Sequence, residues 1–207
     1  MVESRLYFDP SASHMAYVVA TLDHVSKIAN IDLYGMLWTK VDWSRGQRYV
    51  FIQDCVHSLI RGDHNFIPNR VITEAFFANP RMKSGTFVTP IVNGIIEAEC
   101  ARFNCEFKEV SPPHWRKVMG IKPTLTNGKR DFKVPTREAV LQYVKVSDSI
   151  KSNITGKDRD MPHDITDALA IALADLKSTG YSITSDFNTL QEYDTFHKLY
   201  EISKRIK

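Results

Sequence analysis

The sequence predicts an α/β protein built on one five-stranded mixed sheet. Three features carry that expectation: three strand-like segments joined by short turns near the N-terminus, two more strand-like segments separated by amphipathic helical patterns, and a helix-rich second half. Hairpins join the first three strands and helical crossovers serve the later ones, so antiparallel and parallel pairing share one sheet.

Taken in order, Arg5 to Phe8 is a short strand that Asp9-Pro10-Ser11 interrupts, leaving a carboxylate at its C-terminal tip. Ala16 to Leu22, rich in β-branched residues, follows closely enough to return as a hairpin partner. Ile31 to Trp38 is the third strand. Between Gly46 and Asp63, residues Ile52, Cys55, Val56, Leu59 and Ile60 recur at helical spacing, and Gly62 ends the pattern. Arg70 to Phe77 reads as a fourth strand with Glu74 near its end. Thr86 to Phe103 carries Phe87, Ile91, Ile95 and Ala98 at helical spacing, with Thr89-Pro90 suited to the N-cap and first position. Cys105 to Val110 is the fifth strand, Ser111 to Gly120 a short helix, and Ile121 to Lys133 a basic loop. A helix from about Thr136 to Val146, a polar linker from Ser147 to Met161, and a helix from Asp164 that ends before Gly180 follow. In the tail, Leu190, Tyr193, Phe196, Leu199, Tyr200 and Ile206 lie near helical spacing, which predicts an added amphipathic helix.

A chain of 207 residues with 43% hydrophobic and 25% charged residues has the composition of an ordinary globular domain, which argues against disorder or a fibrous class. Its three cysteines, Cys55, Cys100 and Cys105, match neither a zinc ligand set nor a disulfide scaffold, so a reducing, cytoplasmic setting is expected. No stretch approaches the roughly 20 apolar residues of a membrane span. The net charge of +3 is small, but its distribution is uneven. From Pro113 to Arg137 stand Arg116, Lys117, Lys122, Lys129, Arg130, Lys133 and Arg137 against the single acid Asp131. Such an excess attracts phosphate and makes these seven the candidate DNA-binding residues, although charge alone equally describes a solvated loop.

Four acids punctuate the predicted elements: Asp9 at the tip of strand one, Glu74 in strand four, and Asp164 and Asp167 at the start of the late helix. If strands one and four are neighbours and the helix packs over their tips, all four meet. Asp164 and Asp167, one turn apart with Cβ atoms roughly 5–6 Å from each other, face the same side. Converging carboxylates repel, so they need cations, and hard oxygen donors without thiolate or clustered histidine select magnesium, with manganese as a substitute. Two such ions about 3.5–4 Å apart suit in-line attack on a phosphodiester. Read singly, Asp164 also suits a helix cap and Asp9 a turn. Glu74 in the apolar run Val71 to Phe77 is costly if buried without a partner.

Phe8-Asp9-Pro10, the run from Ile72 to Phe77, and His163 to Leu173 (HDITDALAIAL) resemble, in order and spacing, the three acidic motifs of the RuvC-like Holliday junction resolvases of the RNase H-like superfamily. The likeness spans Leu6 to about Lys177. It implies an RNase H-like fold, a five-stranded mixed sheet with helices on both faces, as a nuclease domain over residues 1–180 with a helical extension over 181–207. It also implies a homodimer that binds four-way or branched DNA and makes paired nicks with magnesium, two ions per site. Asp9, Glu74, Asp164 and Asp167 would then be the metal-binding catalytic acids. Phe77 matches the family's aromatic that opens base pairs at the crossover, or else is a core phenylalanine. Lys133 or Arg137 falls where the family places a lysine important for cleavage, and each also reads as a phosphate contact. The chain departs from the family at Ser11, where glycine is usual, and at Trp115, where a lysine is expected. Two other readings stay open: a related nuclease acting on flaps, forks or hybrids, and a non-catalytic branched-DNA-binding module.

Overall fold

The computed structural model describes residues 1–63, 66–76, 88–126, 128–143 and 163–184. Phe77, the linker expected from Ser147 to Met161 and the tail helix lie outside the described residues. The strands of the main sheet are β1 (Val2–Asp9), β2 (His14–Asp23), β3 (Ile28–Trp38), β4 (Arg70–Glu74), β5 (Glu106–Val110) and β8 (Ser182–Thr184), in the order β5-β4-β1-β2-β3-β8. β1, β2 and β3 pair antiparallel as successive hairpins, while β4 joins β1, β5 joins β4 and β8 joins β3 in parallel. All five expected strands are therefore present. The sixth, Ser182–Thr184, carries the sheet past the boundary expected at residue 180.

Side-chain alternation along the strands builds a core on each face. Leu6, Phe8, Met15, Tyr17 and Val19 pack on one face against α1 (Arg45–Arg61) and α2 (Val88–Arg102). Tyr7, Ala16, Val18, Ala20 and Ile72 pack on the other against α3 (Pro112–Val118), α4 (Lys133–Tyr143) and α5 (His163–Ser178). Between strands, Gly35 lies opposite Tyr17, and any Cβ at that position would collide with the tyrosine ring.

Local chemistry sets the helix ends. Ser44 and Gln47 form a reciprocal capping box on α1, with Gln47 N donating to Ser44 Oγ at 3.3 Å and Ser44 N to Gln47 Oε1 at 2.8 Å. Among the described residues α2 already includes Val88 and Thr89, so Thr89 is helical rather than the N-cap expected of it. Pro90 is tolerated there because the first helical N–H groups lack intrahelical partners in any case. Lys133 likewise starts α4 earlier than Thr136.

The expected basic loop holds structure of its own. β6 (Thr124–Thr126) and β7 (Lys129–Asp131) form an antiparallel hairpin. Gly128, just before β7, takes φ 72°, a left-handed value that glycine adopts freely. Among the described residues no helix is long and apolar enough to cross a membrane.

Candidate active site

Register brings the strand-borne acids together. β1 and β4 run parallel with Tyr7 opposite Ile72 and Phe8 opposite Thr73, so Asp9 and Glu74 end adjacent strands side by side. Each stands two residues beyond Tyr7 or Ile72, whose side chains belong to the core under α5, so both project to that face. α5 packs on the same face through Ile165, Ala168, Leu169, Ala172, Leu173 and Leu176, which places its first turn, with Asp164 and Asp167, over the strand tips.

The electrostatics register the convergence. Burial pushes the Asp9 carboxyl well above the ordinary carboxylate range, and the charges of Asp167, Glu74 and Asp164 push it further. Asp167 is raised to about 7, first by burial and then by repulsion from Glu74 and Asp164. Burial likewise raises Glu74 and Asp164. Arg116 opposes the rise at Asp9, Glu74 and Asp167, and Lys133 opposes it at Asp164 and Asp167. The acids remain raised, so the chain's own cations leave the cluster under-neutralised.

Among the described residues no three His, Cys, Asp or Glu side chains stand in a ready-made metal cage. The donor set nevertheless fits a hard divalent cation: four carboxylates share one site, burial and mutual repulsion raise them, and no thiolate accompanies them. Asp9, Glu74, Asp164 and Asp167 are the residues that would hold it.

The surrounding side chains position these acids. Fully buried Trp115 donates its indole Nε1–H to Glu74 Oε2 at 2.9 Å, so the residue standing where a lysine was expected orients a carboxylate. Asn93, on α2, donates to Glu74 O at 3.0 Å and to Glu109 Oε1 at 2.6 Å, and accepts from Thr73 Oγ1 at 3.1 Å, which pins the end of β4. Ser11 Oγ accepts from Ser13 N at 3.3 Å and His14 N at 3.5 Å, closing with its side chain the turn after Asp9. Arg116 lies against two rings, its guanidinium carbon 4.7 Å from the Trp115 centroid and 4.4 Å from that of Phe132.

The predicted basic residues divide by position. Arg116 and Lys133 reach the acids electrostatically; Arg137 sits beside His163, whose protonated form is disfavoured by burial, Lys133 and Arg137. Lys117, Lys122, Lys129 and Arg130 are exposed on α3, the following loop and β7. Sequence reasoning missed Trp115 and Asn93 as positioning residues, and also His14, at the start of β2, which opposes the rise at Asp164. The one signal available was a polar residue inside the apolar helical run from Pro90 to Ile96, at Asn93.

No family model matches the chain. It is 26% identical over 167 residues to the crossover junction endodeoxyribonuclease RuvC of Dictyoglomus thermophilum, which covers 81% of this chain and 92% of that protein. Its fold resembles that of Thermus thermophilus RuvC solved with a Holliday junction substrate, at TM-score 0.58 and 16% identity over 86% of this chain and 95% of that one. It also resembles the Holliday junction resolvase of fowlpox virus, at TM-score 0.54 and 15% identity over 86% and 99%. The predicted sheet with helices on both faces is the fold these proteins share with it.

Proposed function

We propose that this chain, a RuvC-like member of the RNase H-like superfamily, is a crossover junction endodeoxyribonuclease that resolves four-way or related branched DNA by metal-dependent phosphodiester hydrolysis. The observation that carries the reading is the cluster of buried, mutually repelling carboxylates at adjacent strand tips and the facing helix turn, flanked by cations from α3 and α4. The matched relatives, named as resolvases, support it.

In this reading Asp9, Glu74, Asp164 and Asp167 hold magnesium, two ions per site, with manganese as a substitute. Bound there, the metal supplies Lewis acidity to a phosphoryl oxygen and lowers the pKa of an attacking water. Trp115 fixes the Glu74 carboxylate against β4, and Asn93 fixes the strand end beneath it. Arg116 and Lys133 stand beside the acids with positive charge that a DNA phosphate can share once the carboxylates are neutralised. Paired nicks on a two-fold junction call for a homodimer, with one site per protomer.

Asp167→Asn keeps the fold and the basic surface but removes charge that the metal must balance. We expect junction binding within a few-fold of wild type and cleavage slowed by on the order of 10³, equivalent to about 4 kcal/mol in the barrier. Electrophoresis of a labelled four-way junction with and without magnesium measures both. Nicking by the variant at the wild-type rate would remove the assignment, and faster cutting of flaps, forks or hybrids than of the junction would move it to another substrate.

A further inference from the structure

Among the described residues, a cluster of positive charge without ion-pair partners lies beside the acid cluster, in a groove that the cleavage chemistry does not use. α3, the loop after it and the β6–β7 hairpin enclose a space of about 460 Å3, lined by Arg116, Lys117, Lys122 and Arg130 with Ile121 and Phe132 as apolar wall. No acidic side chain lines it. Among the described residues none of the four cations is tied up in an ion pair. The Arg116 Nε is buried and has no hydrogen-bond partner among the described residues. Four like charges around one concavity repel unless an anion is present. An apolar wall beside them suits a ligand that is anionic at one end and weakly polar at the other.

Resting on the proposed function, we propose that this groove is a subsite for a non-scissile backbone phosphate of the DNA and its deoxyribose. The phosphate sits among Lys117, Lys122, Arg130 and Arg116, and the sugar rests on Ile121 and Phe132. Arg116 links the two sites, because its charge also acts on Asp9, Glu74 and Asp167. The hairpin is what completes the groove: Arg130 lines it, and the neighbouring Lys129 does not, since successive strand residues point to opposite faces.

That alternation supplies the test. Fluorescence anisotropy of a labelled four-way junction, in EDTA and across a salt series, compares the wild-type chain with Lys122→Gln, Arg130→Gln and Lys129→Gln, each of which removes one positive charge. We expect each groove variant to bind roughly 5–10-fold more weakly at 0.1 M salt and to flatten the log Kd against log salt slope by about 1, the loss of one phosphate contact. Lys129→Gln, one of the seven basic candidates but off the groove lining, should weaken binding less than either groove variant, by the roughly two- to threefold of a long-range charge rather than a phosphate contact. If Lys129→Gln weakens binding as much as the other two, the surface is diffusely basic and the subsite is overturned. Should Arg130→Gln disturb the hairpin, Lys122→Gln, outside its strands, decides alone. A wild-type chain that does not bind junction DNA at low salt overturns the proposed function along with the subsite, whereas binding without cleavage in magnesium leaves the subsite standing and removes only the nuclease.

Discussion

β1 and α5 meet at both ends, and each end buries carboxylate, with opposite outcomes. At the far end of α5, Asp175 accepts from Arg5 Nη1 at 2.7 Å and from the Tyr7 hydroxyl at 3.0 Å, with Lys108 Nζ 3.7 Å away. Arg5 in turn donates Nε to Glu3 Oε1 at 2.6 Å. Burial, and then the Asp175 charge, push the Tyr7 phenol well above its ordinary value, so it stays a donor. At the near end, Asp9, Glu74, Asp164 and Asp167 share a site whose flanking cations do not offset burial and repulsion. The first arrangement is complete by itself and holds helix to sheet. The second is left uncompensated, its carboxyls raised toward protonation, and a site whose ionised form the protein does not stabilise is one that an added cation can complete.

The largest effect that would break this contrast is at the paired end. Arg5→Met leaves Asp175 buried, with Tyr7 and the half-exposed Lys108 as its remaining partners. Losing one member of a buried pair costs about 3–5 kcal/mol. Chemical denaturation should show that loss, and pairing Arg5→Met with Asp175→Leu should restore much of it. A cost below about 1 kcal/mol, the range of an exposed ion pair, would mean that Arg5 and Asp175 are not a structural pair.

Metal separates the two ends next. Magnesium or manganese at 100 times its Kd should stabilise the wild-type chain by about 2.7 kcal/mol, read as a rise in Tm. Asp167→Asn should lose most of that rise, whereas Asp175→Asn, however unstable, should keep it. Equal responses in the two variants would place the metal elsewhere.

How much of this contrast the sequence carried depends on whether a partner is local. The α/β order followed from strand runs and helical spacing, and the four acids followed from their place at element ends, because strand tips and a helix start converge once β1 and β4 are neighbours. Ser182–Thr184 escaped notice because three residues of edge strand after Gly180 have too little pattern to read. The dipeptide Asn127-Gly128 is a strong turn signal in the sequence, but the three-residue strands either side are too short, and the second too charged, to show an alternating pattern. The Arg5–Asp175 pair joins residues 170 positions apart, and Trp115 reaches Glu74 across 41, so neither has a local sequence signal.

A smaller effect concerns the metal-free protein and its pH dependence. Asp167 has a folded-state pKa of about 7 against 3.8 for the free group. A raised acid contributes stability that is fully present below pH 3.8 and is lost as pH rises through about 7. Other groups shift with pH as well, so the difference between Asp167→Asn and wild type isolates this one. In EDTA that difference should grow in favour of the variant from about pH 4 to 7 and then level, reaching at most about 4 kcal/mol by linkage. Saturating magnesium should reverse its sign. The same substitution at Asp175 should destabilise at neutral pH, and a variant of Asp167 that destabilises the metal-free chain at pH 8 would put both ends in one class.

The smallest expected effect is the one that tests orientation rather than charge. Trp115→Phe keeps most of a fully buried ring and removes only the indole N–H that Glu74 Oε2 accepts at 2.9 Å. A hydrogen bond to a charged group contributes about 1.5–3 kcal/mol, so the Glu74 carboxylate should wander and rise further in pKa. Stability should fall by no more than that, because a Glu74 left without the bond can take up a proton. Magnesium affinity, measured calorimetrically without DNA, should fall by roughly tenfold, the equivalent of about 1.4 kcal/mol. Junction affinity in EDTA should stay near wild type, because the basic groove and hairpin are untouched. A Trp115→Phe chain that binds magnesium as wild type does would make the indole a packing residue alone and leave Glu74 held by its strand.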